Sequence, residues 1–273
     1  MSRALRRIML VSALVALAVT GCQSSSSASS PSLIKQIQKA GELKVGAAEY
    51  VPGAVKDPAS GKWSGTFIDF ATWYADQLGV KLTVVETSWD NIVAGLQAKQ
   101  YDMALGLNRT PKRAIAVVFT APLEYSLGGF AIKPDRVSAR TWAQLNDPKY
   151  TICVVQGTAY DLALTNIAPK AQITRLPDHN ACSLEITSDK VDAFWEDLGA
   201  VAPLAKEQSA IRLIIPDPQI LSQGIATAVP QGYSFEDLEA INIGIENYIA
   251  SGLLTKSQQA NRVDNPLDYA VQP

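Results

Sequence analysis

The sequence predicts an α/β fold, because helical patterns alternate with short apolar strands along most of the chain. Thr66 is the expected cap of one helix, in which apolar residues recur at three- and four-residue steps before Gly79. Residues 80–86 then form an apolar strand, which completes a βαβ unit with the strand at residues 42–48. With 273 residues, the chain is long enough for two lobes of about 100 residues each.

The remaining elements follow from the same patterns. Ser32 and Gly41 bound a short opening helix, and the prolines and glycines of residues 56–62 predict a hairpin turn. Further strands are expected at residues 102–107, 126–133, 151–156, 172–176, 190–197 and 223–229, and further helices at residues 91–99, 142–146, 179–188, 198–206, 235–251 and 255–261.

The composition argues against several classes of function. Hydrophobic residues make up 47% and charged residues 18% of the chain, as in an ordinary globular protein. The chain without its first 22 residues carries 21 basic and 26 acidic residues, and this net charge of −5 argues against a nucleic-acid partner. Phosphate-binding glycine loops and the GxSxG and HExxH motifs do not occur, and the single histidine leaves no metal-ligand cluster. We therefore expect no cofactor, no metal and no enzymatic activity.

Residues 1–22 have the pattern of a secretory signal. Three arginines precede twelve apolar residues at 8–19, a run too short for the roughly 20 residues that span a bilayer. The ending Val-Thr-Gly-Cys resembles a lipobox, which implies cleavage before Cys22 and attachment of lipid to that residue. The alternative is a plain secretory signal in which Cys22 has no such role. Residues 23–32 are rich in serine and are expected to form a flexible tether.

The stretch from residue 102 to 125 predicts an anion-binding turn. An apolar strand runs into Asn108, Pro111 can occupy the first position of a short helix, and Arg113 lies one turn inside it. Backbone N–H groups at a helix start and a guanidinium fork both suit a carboxylate. The alternative is a solvated basic turn, since most surface arginines have no specific role.

Residues 106–113, Gly-Leu-Asn-Arg-Thr-Pro-Lys-Arg, followed by Phe-Thr-Ala-Pro at 119–122 and Tyr125, resemble the extracellular solute-binding proteins, family 3, of bacterial ABC transporters. The resemblance extends across nearly the whole mature chain. It implies the two-lobe periplasmic binding protein type II fold with two hinge-crossing strands. Lobe 1 would comprise residues 33–129 and 225–273, lobe 2 residues 130–224, and the ligand would bind between them.

The resemblance assigns a first group of ligand contacts to lobe 1. Arg113 matches the arginine that holds the α-carboxylate of the ligand, and Asn108 lies in the same turn. Tyr50 and Trp89 match aromatic residues that contact the ligand in this family. A further aromatic of the family is replaced by Gly53, which leaves one wall of the pocket undetermined. Without the resemblance, Tyr50 reads equally as an ordinary half-buried tyrosine, and the alternative for Trp89 is a core tryptophan under the predicted helix at residues 91–99.

A second group of contacts is assigned to lobe 2. Thr158 would donate its amide and hydroxyl to the carboxylate, and Asp197 would pair with the α-ammonium group, although it also reads as a helix cap. Glu196 would face the other side of the same strand. His179 precedes Asp197 by eighteen residues, a spacing found in acidic amino acid members, where the histidine reaches the side-chain carboxylate. The arginines of that subgroup are missing here, and a lone histidine is more often structural.

Cys153 and Cys182 are expected to form a disulfide. One lies on a predicted strand and the other on a predicted helix that should pack against it. An oxidising compartment favours the bond, and two reduced thiols are the alternative.

The resemblance implies a monomeric, lipid-anchored, extracytoplasmic receptor that passes an amino acid or close analogue to an inner-membrane ABC permease. Two alternatives stay open. Cyclohexadienyl dehydratases share the fold and use a carboxylic acid in the cleft, which Glu196 or Asp197 could supply. A sensor subunit for a membrane kinase is the other. Which amino acid is bound does not follow from the sequence.

Overall fold

The computed structural model describes residues 30–261. The predicted signal, Cys22, residues 23–29 of the tether and residues 262–273 of the predicted lobe 1 lie outside this range. In chain order the described elements are α1 (Leu33–Ala40), β1 (Glu42–Ala47), β2 (Val55–Lys56), β3 (Trp63–Ser64), α2 (Thr66–Leu78), β4 (Lys81–Glu86), α3 (Ile92–Gln97), β5 (Met103–Asn108), α4 (Pro111–Ala114), β6 (Val118–Ile132), α5 (Trp142–Leu145), β7 (Thr151–Val155), α6 (Ala159–Ile167), β8 (Gln172–Leu176), α7 (His179–Thr187), β9 (Ala193–Asp197), α8 (Leu198–Glu207), β10 (Arg212–Ile214), β11 (Ser222–Val229), α9 (Phe235–Ala250) and α10 (Leu253–Ala260).

β2 and β3 pair as a separate antiparallel hairpin, and the other nine described strands form two half-sheets that share β6. The first half-sheet has the order β4-β1-β5-β11-β6, in which β1 is parallel to β4 and β5 while β11 is antiparallel to β5 and β6. The second continues from β6 through β9 and β7 to β8, with β10 on the other edge of β6. We call the first half-sheet with its helices lobe 1 and the second with its helices lobe 2. The predicted two-lobe α/β architecture is therefore present.

β6 passes from one lobe to the other without a break. Its residues from Val118 to Leu127 pair with β11 in lobe 1, and those from Gly128 to Ile132 pair with β9 in lobe 2. At the changeover, a Cβ on Gly128 would lie 2.4 Å from the ring of Trp195. The close packing of the strand on this ring therefore requires glycine.

Each lobe encloses its own apolar core. In lobe 1, α2 and α9 pack together, with the ring centroids of Phe70 and Tyr248 5.4 Å apart. In lobe 2, the tilted rings of Trp195 and Phe130 pack with centroids 4.6 Å apart, beside Trp142. On α9, Ile241, Ile245 and Tyr248 are buried in the core of lobe 1, whereas Phe235 at the start of the helix is 72% exposed.

The cap of α2 differs from the prediction. Gly65, not Thr66, holds the cap position, with a φ of 121° that favours glycine. A Cβ on Gly65 would also lie 2.4 Å from the carbonyl oxygen of Gly53. Thr66 is instead the first helical residue, and its hydroxyl donates to Glu124 at 3.1 Å.

The disulfide between Cys153 and Cys182 is present, as predicted. It joins β7 to α7 inside lobe 2, with a Cα–Cα distance of 5.7 Å. Both cysteines are fully buried. Among residues 30–261, no helix combines the length and apolar character that crossing a membrane requires.

Candidate ligand-binding site

A narrow cavity lies between the lobes, where β5 and β9 end. Its volume is about 20 Å³, and since a water molecule needs about 10–15 Å³, access for anything larger requires the lobes to separate. The lining residues come from both lobes: Tyr50, Trp89, Gly106, Asn108, Arg113, Thr158, Tyr160, Glu196, Asp197 and Ile225.

The sequence between β5 and α4 places Arg113 in this cavity. Thr110 caps α4, its hydroxyl accepting the backbone N–H of Arg113 at 3.3 Å, and Pro111 begins the helix. The guanidinium donates from Nη1 to the carbonyl of Asn108 at 3.3 Å and from Nη2 to the carbonyl of Gly157 at 3.1 Å. The second bond joins lobe 1 to lobe 2.

Arg113 is a buried cation whose protein partners are carbonyl groups. It is 9% exposed, and burial lowers the pKa of its guanidinium to about 10, so it remains charged at neutral pH. Among the described residues, no carboxylate lies within ion-pair distance of Arg113. Because an unpaired buried charge is costly, this guanidinium suits a carboxylate brought in by a ligand.

The lobes touch closely beside Arg113. Gly157 has a φ of 76°, and a Cβ on it would lie 2.2 Å from Oδ1 of Asp90 and 2.8 Å from the Asp90 backbone nitrogen. The closed arrangement therefore depends on glycine at this position, both for the backbone conformation and for the approach of lobe 1.

Asp197 lies on the lobe 2 wall and is held by three donors. Its Oδ1 accepts the N–H of Gly199 at 2.9 Å, and its Oδ2 accepts the hydroxyl of Tyr160 at 3.1 Å and the N–H of Leu127 at 3.2 Å. Burial raises the pKa of the Asp197 carboxyl to about 7, Glu196 adds to the rise, and the three hydrogen bonds oppose it. Asp197 also caps α8, so the alternative reading of this residue as a helix cap is confirmed.

Glu196 and His179 form a second polar group at the same cavity. As strand geometry requires, Glu196 and Asp197 lie on opposite faces of β9: Glu196 contacts His179, while Asp197 contacts Tyr160. Because both carboxylates stand at the carboxyl end of β9, both nevertheless line the cavity. His179 itself is not among the described lining residues; its Nδ1 lies 2.6 Å from Oε2 of Glu196.

The aromatic wall belongs to lobe 1. The rings of Tyr50 and Trp89 meet edge to face with centroids 6.4 Å apart. A Cβ on Gly53 would lie 2.0 Å from Cε1 of Tyr50, so the Tyr50 ring occupies the space beside the backbone that a side chain at position 53 would need. The wall that the sequence left undetermined is thus covered by Tyr50.

Thr158 and Asn108 line the cavity but are engaged within the protein. The hydroxyl of Thr158 donates to the carbonyl of Val155 at 2.8 Å and accepts the N–H of Asp161 at 3.2 Å, and the Thr158 amide lies 3.4 Å from the same carbonyl. The side-chain amide of Asn108 donates to the hydroxyl of Ser126 at 2.9 Å. Donation from Thr158 to a ligand therefore requires a change in these bonds.

Sequence reasoning did not include Tyr160, Gly106 and Ile225 in the ligand site, and it considered Glu196 there only as an acid in an enzyme. Tyr160 follows the cap of α6 by two residues, which carries no signal that its hydroxyl reaches Asp197. The alternation of β9 pointed Glu196 away from Asp197, and only the position at the end of the strand brings it into the cavity.

The cavity is chemically dipolar. Of its lining residues, Arg113 is the cation and Glu196 and Asp197 are the acids, with the tyrosines and Trp89 between them. A guanidinium facing carboxylates across a closed cleft complements a small zwitterion, whose two charges both need partners once water is removed.

The chain belongs to the bacterial extracellular solute-binding proteins, family 3, whose model matches residues 43–260. The family expected from residues 106–125 is thereby confirmed. A probable amino-acid ABC transporter-binding protein of Haemophilus influenzae is 34% identical over 116 residues, 42% of this chain and 45% of that protein. This chain therefore spans less than half the length of that relative.

Two further relatives match over more of the chain. Cyclohexadienyl dehydratase of Pseudomonas aeruginosa is 29% identical over 192 residues, 69% of this chain and 70% of that enzyme. The crystal structure of an ancestral amino acid-binding protein, a precursor of cyclohexadienyl dehydratase, superposes with a TM-score of 0.76 at 28% identity. It covers 84% of this chain and 99% of the ancestral protein, which supports the type II periplasmic binding protein fold.

Proposed function

We propose that this protein binds an amino acid or a close analogue between its lobes and delivers it to the permease of an ABC transporter. The observation that carries the proposal is the buried guanidinium of Arg113, which has carbonyl groups as its protein partners and faces Glu196 and Asp197 across the cavity. A ligand carboxylate would pair with Arg113, and a ligand ammonium group would pair with the acidic side of the cavity.

Each predicted contact has a role in this proposal. Arg113 holds the α-carboxylate, with Thr158 at the start of α6 as its partner from lobe 2. Asp197 accepts the α-ammonium group, and Tyr50 and Trp89 hold the side chain. The backbone carbonyl of Asn108 accepts a hydrogen bond from Nη1 of Arg113, which orients the guanidinium.

Closure follows from the division of these contacts between lobes. A ligand that touches both lobes favours the closed state, because only a difference in affinity between two states shifts their equilibrium. We propose that residues 33–129 with 225–273 move against residues 130–224 about β6 and the segment that leads into β11. The bond from Arg113 to Gly157 would break on opening and form again on closure.

The cellular part of the proposal follows from the N-terminal sequence. Cleavage before Cys22 and lipid on that residue would anchor a monomer outside the cytoplasmic membrane, and residues 23–32 would give it reach toward the permease. Labelled fatty acid incorporated into the wild type, and not into a Cys22→Ala variant, is the expected result. Equal labelling of both would contradict the anchor.

Calorimetric titration of the mature chain with each common L-amino acid tests the ligand. The protein is refolded first, since a bound ligand can accompany it through purification. We expect tight binding of one amino acid or a narrow group, lost when either the carboxylate or the amine is removed from the ligand. Silence across the whole panel would reject an amino acid ligand.

A second candidate function is supported by the raised pKa of about 7 for the Asp197 carboxyl. A carboxylic acid that keeps its proton near neutral pH can protonate a departing hydroxyl group. The relative from P. aeruginosa is named as a cyclohexadienyl dehydratase, and this reaction on prephenate or arogenate releases water and carbon dioxide. Phenylpyruvate or phenylalanine formed by wild type but not by Asp197→Asn would establish the enzyme, and no product would exclude it.

A further inference from the structure

Beside Arg113 and Asp197 lies a further polar group of the cavity, the pair of His179 and Glu196. The imidazole Nδ1 and the carboxylate Oε2 are 2.6 Å apart, and the two side chains are 11% and 7% exposed. Lobe 2 holds both rigidly, since His179 begins α7 after the cap Asp178 and Glu196 lies within β9. The ring of His179 also packs at 5.3 Å from that of Phe194.

The surroundings of His179 favour its charged form. Burial acts against the charge, but Glu196 on β9, Asp178 before α7 and Glu49 after β1 outweigh it and raise the pKa of His179 above its ordinary value. Two of these acids belong to lobe 2, whereas Glu49 faces the imidazole from lobe 1. This direction and the 2.6 Å contact between the imidazole and the carboxylate together favour the ion-paired form of the two side chains.

Only one of the two Glu196 oxygens is used by this ion pair. Within residues 30–261, Oε1 accepts no hydrogen bond, and Glu196 lines the cavity. Asp197 is different, because three protein donors already contact its carboxylate. Glu196 thus has an acceptor available to a ligand group other than the α-ammonium.

We infer that the His179–Glu196 pair is the side-chain subsite, and that it selects an amino acid whose side chain is uncharged and carries a hydrogen-bond donor. This inference rests on the proposed function. With His179 charged and Asp197 ionised by the ligand ammonium, the positive charges of Arg113 and His179 balance the negative charges of Glu196 and Asp197; Asp178 and Glu49 do not line the cavity. A zwitterion with a neutral side chain fits this balance, whereas an extra charge on the ligand has no counter-charge among these four groups.

The same balance shows how each partner controls selectivity. Loss of the His179 charge leaves one excess negative charge beside the ligand side chain and favours cationic amino acids. Loss of the Glu196 charge leaves one excess positive charge and favours anionic amino acids. His179 is therefore a positioning residue that acts on the ligand through Glu196.

The test compares four proteins: the wild type, His179→Gln, Glu196→Gln and Asp189→Asn. Both glutamine variants keep a polar side chain of similar length and remove one charge. Asp189→Asn is the matched control, because it removes a carboxylate from the ion pair with Lys133, outside the cavity. Its φ of 62° is tolerated by asparagine. Thermal melts establish that each variant is folded.

Each protein is titrated with the common L-amino acids, grouped as uncharged, cationic and anionic. We expect the wild type to bind an uncharged polar amino acid most tightly. Relative to that ligand, His179→Gln should gain about tenfold or more for cationic amino acids, and Glu196→Gln a similar factor for anionic ones. Asp189→Asn should keep the wild-type ratios.

The pH dependence separates a charge effect from a structural one. In the wild type, the preference for cationic over uncharged ligands should rise with pH as His179 loses its proton, and in His179→Gln it should stay flat. A wild type that prefers charged side chains, or variants whose ratios change less than about threefold while binding stays tight, would overturn the inference alone. If none of the four proteins bound any amino acid, both the proposed function and the inference would be rejected.

Discussion

The two walls of the cavity have opposite chemistry. Lobe 1 contributes the guanidinium of Arg113 and the apolar surfaces of Tyr50, Trp89 and Ile225. Lobe 2 contributes the carboxylates and hydroxyls of Glu196, Asp197, Tyr160 and Thr158. Among the lining residues, the charge of lobe 1 is positive and those of lobe 2 are negative. A zwitterion would find partners for both of its charges only when the two walls meet, which is the physical reason to expect closure and binding to be coupled.

The walls also differ in how they are held. On lobe 1, Arg113 depends on a helix of four residues and one threonine cap. On lobe 2, the acids lie on a central strand, and a disulfide crosslinks the lobe. We expect changes in lobe 1 to act mainly on ligand affinity and removal of the disulfide to act mainly on stability. Four predictions test this contrast.

Arg113→Ala should have the largest effect on binding, a loss of roughly 2 to 5 kcal/mol, much of it from a ligand carboxylate left without a partner. Calorimetric titration with the cognate amino acid measures the loss. Lys112→Ala is the control for loss of a basic side chain from α4, because the neighbouring lysine is exposed and lines only the wider cleft beside the cavity. Near-normal affinity of Arg113→Ala would reject the assignment of the carboxylate site.

Replacement of Cys153 and Cys182 by alanine should lower the free energy of unfolding by about 3 to 4 kcal/mol in the chain-entropy model, given the 29-residue separation. Urea unfolding measures this loss, and the reduced wild type should show a similar one. The loss of ligand-binding free energy should be smaller than the loss of unfolding free energy. A larger loss of binding free energy would contradict the contrast between the lobes.

Affinity should depend on pH through Asp197, because burial in the cavity raises the pKa of its carboxyl to about 7. Because the ligand ammonium needs the ionised carboxylate, binding below this pH releases a proton, and affinity should fall by up to about tenfold per pH unit, or 1.4 kcal/mol. Above pH 7 the dependence should flatten until the ligand amine titrates. Affinity that is constant from pH 5 to 7 would show that Asp197 does not meet the ammonium.

Thr110→Ala should have the smallest effect, about 1 kcal/mol, since it removes the cap that orders the first turn of α4. The loss should show in ligand affinity more than in the unfolding of lobe 2. Thr110→Ser keeps the accepting oxygen and should behave like the wild type. An alanine variant with unchanged affinity would mean that Arg113 is oriented by its bonds to carbonyl groups alone.

Much of the fold could be predicted because its causes are local. Apolar periodicity and caps predict most helices and strands within a few residues of their observed ends. The turn that delivers Arg113 is also local, since Thr110 and Pro111 are adjacent to it and act through one helical turn. The disulfide followed from two cysteines on neighbouring predicted elements.

The contacts that only the tertiary structure reveals join groups that are far apart in sequence. Tyr160 reaches Asp197 across 37 residues, and Arg113 reaches Gly157 across 44. His179 meets Glu196 because α7 packs beside β9, and both acids of β9 enter one cavity because the strand ends there. Periodicity along a chain reports which face a side chain occupies, but not what lies opposite that face. The sequence by itself therefore determined the family, the two-lobe α/β architecture and the turn that carries Arg113, and the packing of distant elements decided which charged groups share the cavity.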